Sequence, residues 1–288
     1  MTAIGLYAGR KVKTAKDFTT GGGKAGWPVI TGAILGTLIG GGSTIGTAQL
    51  AFEVGFSAWW WTLGGGLALA VMGVFMIGRL WESKVETIPQ YLVQTYGRHI
   101  GPLASVFTSF GILFNLIAAS LAFMALLMAM FPINAVTASA IGAILILSYV
   151  ILGGIWGAGM TGLAKLLLVY LAMITCGVAA YSMLGGVAGM TARWPAYPTF
   201  SLFGRGFEKD FAAGFAMMVG IMSTQTYIQA VLSGKSASES RKAVFLSALL
   251  TPPVGLGGIF VGLYMRAHFP ETASKEVFPL FILKFLPP

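Results

Sequence analysis

The 288-residue sequence is poor in charge, in cysteine and in histidine. Only 9% of its residues are Asp, Glu, Lys or Arg, whereas soluble domains carry about 25%. With a mean hydropathy of +0.82, this composition excludes an ordinary soluble protein. Cys176 is the single cysteine, which excludes internal disulfides and cysteine-ligated metals. The 2 histidines, His99 and His268, both lie at the edges of uncharged stretches, so no histidine metal cluster or proton relay inside the membrane is expected.

Long stretches without charge define the predicted membrane spans. Residues 25–52 carry no charged side chain, and neither do residues 54–78, 100–164, 166–192, 211–234 and 243–265. A helix of ~20 residues crosses a hydrocarbon core of ~30 Å, so the stretch 100–164 must hold two spans, divided near residues 131–134. The sequence predicts an all-α polytopic membrane protein, a single transmembrane domain over residues 1–288. Its predicted spans are 27–52, 57–78, 102–131, 134–153, 163–188, 211–232 and 243–265, with residues 1–9 as the end of a preceding span.

The basic residues predict the orientation of these spans. Most of the 18 Lys and Arg residues lie in alternate short loops, mainly residues 10–24, 79–99 and 233–242. Short loops rich in Lys and Arg stay in the cytoplasm. These loops are therefore predicted to be cytoplasmic, and the loop 189–210 external, in a multi-pass protein of the plasma membrane (cell inner membrane). The net charge of +9 reflects this topology and does not indicate a nucleic-acid partner.

The centre of the first span contains three consecutive glycines followed by two hydroxyl side chains. Each glycine costs a helix interior ~1 kcal/mol relative to Ala. Irregular backbone at membrane depth is tolerated only where it is buried in protein or lines a polar cavity, as at the ion and solute sites of transporters. Close helix packing also enriches glycine, but it favours glycines four apart on one face. A helix break between about Ile39 and Ile45 is therefore favoured.

A second polar cluster, STQTYIQ at residues 223–229, lies in the sixth predicted span. So many polar groups are costly in a membrane unless they face a cavity or a partner helix. Hydrogen bonding between helices explains Thr226 or Gln229 alone, but explains the whole cluster poorly. A second break within about residues 219–227, close to the first in space, is predicted. Asn115 and Gln49 are single polar residues for which structural and functional roles are equally open.

Two further expectations concern single positions near the ends of spans. The triplet Trp59-Trp60-Trp61 is typical of an aromatic anchor at the outer surface rather than a stacking site. Lys165 closes a predicted cytoplasmic loop, and its ammonium is expected to reach the membrane interface by snorkelling.

Four motifs, in order along the chain, resemble the sodium:solute symporter family. They are KDF at 16–18 followed by IGGGSTIGTAQLAFEVG at 39–55, TIPQYL at 87–92 with YG at 96–97, GGIW at 153–156 with Thr161, and YIQAVLSGKS at 227–236 with SRK at 240–242. The sequence departs from the family pattern at Gly162, where the family often has Asp, and at Ala230, where it often has Arg.

The resemblance implies a LeuT-type fold of two five-helix inverted repeats, with helices one and six broken at a midplane site. The seven spans would be core helices one to seven, with the second inverted repeat incomplete. The implied function is secondary active transport: sodium-coupled symport of a small organic solute across a lipid bilayer by alternating access. No enzymatic activity is implied, and no cofactor other than sodium as the coupling ion. The resemblance places sodium on the backbone carbonyls of Gly36 and Ile39, a partial site because the family completes it with hydroxyls on helix eight.

The residues predicted to bind the solute flank the two breaks. They are Gly40, Gly41, Gly42, Ser43, Thr44, Gln49, Ser223, Thr224, Gln225 and Tyr227. Two other functions stay open at this point. The same fold can serve as a solute-sensing module of a signalling protein, whereas a hydrolase built on Ser43 would lack a base at comparable depth.

Overall fold

The computed structural model describes residues 2–285, apart from the side chains of residues 2, 129, 148–150 and 152. This part of the chain is helical and contains no β-strand. The helices are α1 (Thr2–Gly9), α2 (Ala15–Thr20), α3 (Trp27–Leu38), α4 (Thr47–Val54), α5 (Trp60–Phe75), α6 (Ile77–Glu82), α7 (Ile88–Tyr96), α8 (Ile100–Met130), α9 (Ala135–Met183), α10 (Gly186–Arg193), α11 (Ala196–Thr199), α12 (Phe207–Ser223), α13 (Gln225–Leu232), α14 (Ala237–His268) and α15 (Val277–Phe285).

Several helical stretches are suited to a membrane by length and composition. Among residues 2–285, four are long and apolar enough to cross it: Gly42–Phe75, Ile100–Met128, Gly153–Met183 and Ala237–His268. A fifth results if α12 and α13, which meet at 47°, form one bent span. Trp27–Leu38 and Ala135–Leu147 are shorter apolar helices. The division into seven spans stays a prediction.

Helix α9 changes direction at Gly154 without an intervening loop. Gly154 has φ 49° and ψ −141°, a left-handed backbone conformation that favours glycine. It also lies against the N-terminal segment, since a Cβ at this position would be 2.9 Å from the Cα of Phe18. The helix resumes immediately afterwards, so residues 155–162, expected as a loop, are helical. Lys165 consequently lies well inside α9.

Helices α3 and α9 pack with their backbones in contact. A Cβ on Gly36 would lie 2.7 Å from the Cα of Gly162, and a Cβ on Gly162 would overlap the carbonyl oxygen of Gly32. Small residues at such positions allow helices to approach closely. The departure from the family pattern at Gly162 therefore has a structural reason, because no side chain fits there. The contact also brings Lys165, one turn further along α9, beside the last turn of α3.

The loops gather at two ends of the bundle. At one end Ala25 and Gly234 form a parallel bridge, and the indole of Trp81 donates to the carbonyl of Gly234 at 3.3 Å. At the other end Ser57 donates to the carbonyl of Ser201 at 3.3 Å. The loops predicted to share a side are thus brought together. We name the first end the predicted cytoplasmic end and the second the predicted external end.

The tryptophan triplet is held by the protein rather than free at a surface. The indole N–H of Trp59 donates to the carbonyl of Pro252 at 2.9 Å, and that of Trp60 donates to the carbonyl of Leu202 at 2.8 Å. Trp59 and Trp60 thus tie the start of α5 to its neighbours, and the aromatic anchor at the outer surface stays a prediction. Trp61 is 46% exposed and lies against Gly42, where a Cβ would be 3.2 Å from the ring.

The apolar core has two parts, and α3 contributes to both. Ile34 and Leu38 pack in the part that includes α5 and α13, whereas Leu35 and Ile39 pack in the part that includes α4 and α9. Since α3 ends between Leu38 and Ile39, its C-terminal end is held in the middle of the bundle by apolar side chains on both sides.

Candidate functional site

The first predicted break is present at the end of α3. Ile39 leaves the helix with φ −89° and ψ 91°, and a π-helical turn runs from Gly42 to Gly46 before α4 begins. The amide of Ile39 still donates to the carbonyl of Leu35 at 2.8 Å, which is the end of the regular ladder. The predicted interruption between about Ile39 and Ile45 is confirmed.

Two hydroxyls satisfy the backbone of this break. Ser43, only 1% exposed, accepts a hydrogen bond from the amide of Gly40 at 2.9 Å. Its hydroxyl also lies 3.2 Å and 3.0 Å from the carbonyl oxygens of Leu38 and Gly40. Thr44 donates to the carbonyl of Gly40 at 2.9 Å. Both hydroxyls are therefore engaged by the backbone of the break itself.

The carbonyl of Gly36 is bonded by a lysine. A regular helix would direct the amide of Gly40 to this oxygen, but that amide turns to Ser43 instead. The ammonium of Lys165 donates to the Gly36 carbonyl at 2.9 Å. A positive charge is favourable here because the C-terminal end of a helix carries partial negative charge. The snorkelling expected for Lys165 is wrong, since the ammonium is directed into the bundle.

The second predicted break is a single residue between α12 and α13. Thr224 has φ −81° and ψ 122°, and the two helices meet at 47°. Tyr227, in the first turn of α13, lines the same cavity as Gly40 at the first break. The predicted second interruption and its closeness to the first are confirmed.

A cavity of about 420 Å³ lies between the broken helices, α5 and α8. Its lining includes Gly40, Gly41, Gly42, Ser43, Gln49, Trp61, Asn115, Met217, Tyr227 and Lys275. None of its described lining residues is Asp or Glu. Among the described residues, the cavity is therefore lined by amide, hydroxyl, aromatic and ammonium groups but by no carboxylate.

Four polar side chains of this cavity have no hydrogen-bond partner among the described residues of the protein. They belong to Gln49, Asn115, Tyr227 and Lys275. Tyr227 is only 4% exposed and Gln49 is half-buried, whereas Asn115 and Lys275 are exposed. Polar groups in such a position are normally satisfied by water or by a ligand. These groups can bind a polar solute.

Three residues predicted to bind the solute lie away from this cavity. Ser223 donates to the carbonyl of Val219 at 2.7 Å, and Thr224 donates to that of Gly220 at 2.6 Å. Gln225 is 7% exposed and is directed towards the predicted cytoplasmic end. The structure thus brings together Gly40 to Ser43, Gln49 and Tyr227 around the cavity, and Thr44 is bonded to the backbone beside them. The polar residues 223–225 at the second break do not line this cavity.

Two glutamines of α13 bind the loops of the predicted cytoplasmic end. The side-chain oxygen of Gln225 accepts from the amide of Ile88 at 2.8 Å, and its nitrogen donates to the carbonyl of Glu86 at 3.3 Å. Gln229 donates to the carbonyl of Thr19, at the end of α2, at 2.6 Å. We name these three hydrogen bonds the glutamine clasp. Together they hold the loop before α7 and the end of α2 against α13.

Sequence reasoning missed two polar residues of the cavity. The sequence leaves structural and functional roles of Asn115 equally open, because a single polar residue in an apolar helix forms no pattern. Lys275 precedes α15, in a segment too short to span a membrane, so no feature of the sequence linked it to the first break. Lys275 reaches the cavity because its turn, Ser274–Glu276, packs against α4 and α8.

Comparison with known proteins agrees with this architecture. The family model of the sodium:solute symporter family matches residues 18–277. High-affinity choline transporter 1 of Drosophila melanogaster is 22% identical, with 97% of this chain and 46% of the relative covered. The human high affinity choline transporter 1 is 23% identical, with 90% of this chain and 47% of the relative covered. This chain therefore spans just under half the length of the curated relatives it matches.

A solved structure has the same fold. It is described as the substrate-bound outward-open state of a Na+-coupled sialic acid symporter, and it matches with a TM-score of 0.79 at 18% identity. The match covers 99% of this chain and 63% of that chain. The likeness confirms the all-α, LeuT-type fold class; the family and the relatives are transporters rather than enzymes. Since the family model matches nearly the whole sequence, the chain belongs to the sodium:solute symporter family.

Proposed function

We propose that the protein is a secondary active transporter that couples sodium to the symport of a small organic solute across the plasma membrane by alternating access. Family membership and the transporter relatives support this function. The observation that carries it is the cavity of about 420 Å³ between two broken helices. Helices interrupted at the midplane bind substrate and coupling ion in transporters of this architecture.

The solute is bound in that cavity. Its volume lies within the range of about 300–1,000 Å³ that is usual for small-molecule sites. The amides of Gln49 and Asn115 and the hydroxyl of Tyr227 supply hydrogen bonds, while Trp61 offers an apolar face. The backbone at Gly40 leaves room for a solute to approach, because glycine has no side chain to exclude it, whereas Gly41 packs closely against Ala122.

A neutral or anionic solute suits the cavity better than a cation. Lys275 is its charged lining residue, and no described lining residue is a carboxylate. The rings of Trp61 and Tyr227 are the feature that would favour a quaternary ammonium, because aromatic faces attract cations. Both relatives named above are choline transporters, so choline belongs in any test of the solute class.

Sodium is the coupling ion, and the carbonyls of Gly36 and Ile39 are its proposed ligands at the end of α3. Ile39 is extended and lies outside the regular helix ladder. A hard cation prefers oxygen ligands, and backbone carbonyls supply them without placing a full negative charge in the membrane. If sodium and solute favour the same conformation, each raises the affinity for the other by the same factor.

Uptake into liposomes tests this function. The protein expressed from its gene is reconstituted, and uptake from a panel of labelled anionic, neutral and cationic solutes, choline included, is measured with a sodium or a potassium gradient. We expect accumulation of a neutral or anionic solute with sodium only. Binding without uptake would favour a solute sensor, and sodium-driven choline uptake would overturn the proposed solute class.

Matched alanine variants test the position of the solute. Removal of one hydrogen-bonding side chain in Gln49→Ala or Asn115→Ala should weaken solute affinity about tenfold, the effect of a lost hydrogen bond of about 1.4 kcal/mol. Ser223→Ala is the control, because this hydroxyl bonds its own helix away from the cavity. Equal losses in all three variants would show that the cavity is not the solute site.

A further inference from the structure

The ammonium group of Lys165 lies at the C-terminal end of α3. The ammonium of Lys165 is bonded at 2.9 Å to the carbonyl of Gly36, the oxygen proposed above as a sodium ligand. It also lies close to the break itself, since a Cβ on Gly40 would be 3.9 Å from the same nitrogen. One carbonyl cannot hold both cations at bonding distance, because two positive charges so close repel strongly in a medium of low dielectric constant.

The described part of the chain offers Lys165 no carboxylate partner for its charge. Among the described side chains, the salt bridge present is that of Arg205 with Asp210, at the predicted external end. A carboxylate one turn before Lys165 is sterically impossible, because any side chain on Gly162 would overlap the carbonyl of Gly32. The ammonium is therefore stabilised by the Gly36 carbonyl and by the partial negative charge at the end of α3.

We propose that Lys165 is a tethered cation that competes with sodium for the carbonyl of Gly36. This inference rests on the proposed function in one respect, the placement of sodium at that oxygen. Sodium must displace the ammonium to bind, and the ammonium returns when the ion leaves. The carbonyl is thus bonded in both states, and an unpaired polar group inside the membrane is avoided. The consequence is a lower sodium affinity than the same site would have without the lysine.

A purely structural role for Lys165, as a tie between α9 and α3, makes a different prediction. Loss of a structural tie would lower the stability of the protein and leave its response to sodium unchanged. Loss of a competing cation would increase the response to sodium. The sodium response, rather than stability, therefore separates the two roles.

The test measures thermal unfolding of the purified protein against sodium concentration, with N-methylglucamine keeping the ionic strength constant. Lys165→Met removes the charge at similar length, Lys165→Arg keeps a cation, and Lys242→Met removes an exposed lysine of α14 as the matched control. We expect the sodium midpoint of Lys165→Met to fall at least about tenfold, which corresponds to about 1.4 kcal/mol. Lys165→Arg and Lys242→Met should keep the midpoint of the wild type.

A sodium curve of Lys165→Met that coincides with that of the wild type would overturn the proposal. So would an equal shift in Lys242→Met. The outcome is independent of transport: absence of sodium-driven uptake in the wild type would refute the proposed function, while the comparison of sodium curves would still decide the role of Lys165.

Two further measurements apply if Lys165→Met does not fold. Lys165→Gln, which keeps a hydrogen-bond donor without the charge, should show the same increase in sodium affinity. If neither variant folds, experimental structures of the wild type decide. The ammonium should lie on the Gly36 carbonyl without sodium and be displaced from it at saturating sodium, and an ammonium that stays there beside a bound ion would refute the competition.

Discussion

The two helix breaks differ in what satisfies their polar groups. At the first break, hydroxyls within residues 39–46 bond the backbone of that same segment. The carbonyl of Gly36, which has no backbone amide as its partner among the described residues, accepts a hydrogen bond from Lys165 of α9. At the second break a single residue, Thr224, is extended, and the nearby Gln225 and Gln229 reach out to loops of the predicted cytoplasmic end.

This difference assigns different tasks to the two breaks. The first exposes backbone to the cavity and has a cation at its end, so it is suited to ion and solute. The second contributes Tyr227 to the cavity, while its glutamine clasp holds loops that would have to separate from α13 if the predicted cytoplasmic end opened. In the proposed transport cycle, solute binding and gating would be linked through one short helix, α13, which carries both the tyrosine and the clasp.

The largest expected effect on stability comes from disrupting the contact between α3 and α9, which places Lys165 beside the first break. In Gly162→Ala the new methyl group would overlap the carbonyl of Gly32 and force α3 and α9 apart. We expect the free energy of unfolding to fall by about 1–3 kcal/mol, the usual cost of overpacking. Unfolding is monitored by circular dichroism in detergent.

Gly111→Ala in α8 is the matched control, because a Cβ at that position would meet nothing within 4 Å. This variant should be neutral or more stable by up to about 1 kcal/mol, since alanine is the better helix former. Equal destabilisation in both variants would contradict the close packing of α3 on α9.

An intermediate effect is expected from opening the glutamine clasp at the second break. Gln225→Ala removes the acceptor of the Ile88 amide and leaves that N–H without its protein partner. Hydrogen exchange in residues 86–88 should accelerate about tenfold, as expected for the loss of about 1.4 kcal/mol of protection. Mass spectrometry of the exchanged peptides measures this rate.

The control for the clasp is Gln94→Ala, whose side chain donates to the carbonyl of Ser83 on the exposed side of the same loop region. It should leave exchange at residues 86–88 unchanged. Sodium affinity should also stay unchanged in Gln225→Ala, because the clasp lies away from Gly36. Unaltered exchange in Gln225→Ala would mean that the loop is held by other contacts, and the gating task of the second break would be wrong.

The sequence was sufficient to predict where the two helices are interrupted. Three glycines with Ser43 and Thr44, and a polar heptapeptide around Thr224, are anomalies in apolar helices, and each marks a real interruption. The reason is general: unpaired backbone is so costly in a membrane that the residues which make it possible stand out against the apolar background.

The direction of side chains could not be predicted in the same way. Gln225 and Gln229 lie near the second break, but their amides bind Ile88 and Thr19, far away in sequence. The sequence predicts an interface position for Lys165, because nothing in the composition indicates that the helix continues without a loop after Gly154. Which group meets which carbonyl depends on long-range packing, here on the glycine contact between α3 and α9.

The smallest expected effect concerns the helix to which the clasp is attached. Thr19 lies in α2, whose N-terminus is capped by Thr14 and Asp17: the Thr14 hydroxyl donates to the Asp17 carboxylate at 2.9 Å, and the Thr14 amide donates to it at 3.0 Å. The Thr14 hydroxyl, followed by the backbone amides of Lys13 and Thr14, holds the pKa of Asp17 below its usual range. Because the pKa is lower in the folded protein, the cap stabilises α2 fully above the ordinary carboxyl pKa of about 4 and is lost as the pH falls through the lowered value.

In NMR spectra, the amide shift of Thr14 should follow this titration in the wild type and become independent of acid pH in Asp17→Asn. Since Asp17 is only partly buried, near the surface, thermal stability should change little in either protein. A Thr14 amide that titrates equally in both proteins would show that the cap does not form, and that the clasp holds the end of α2 without it.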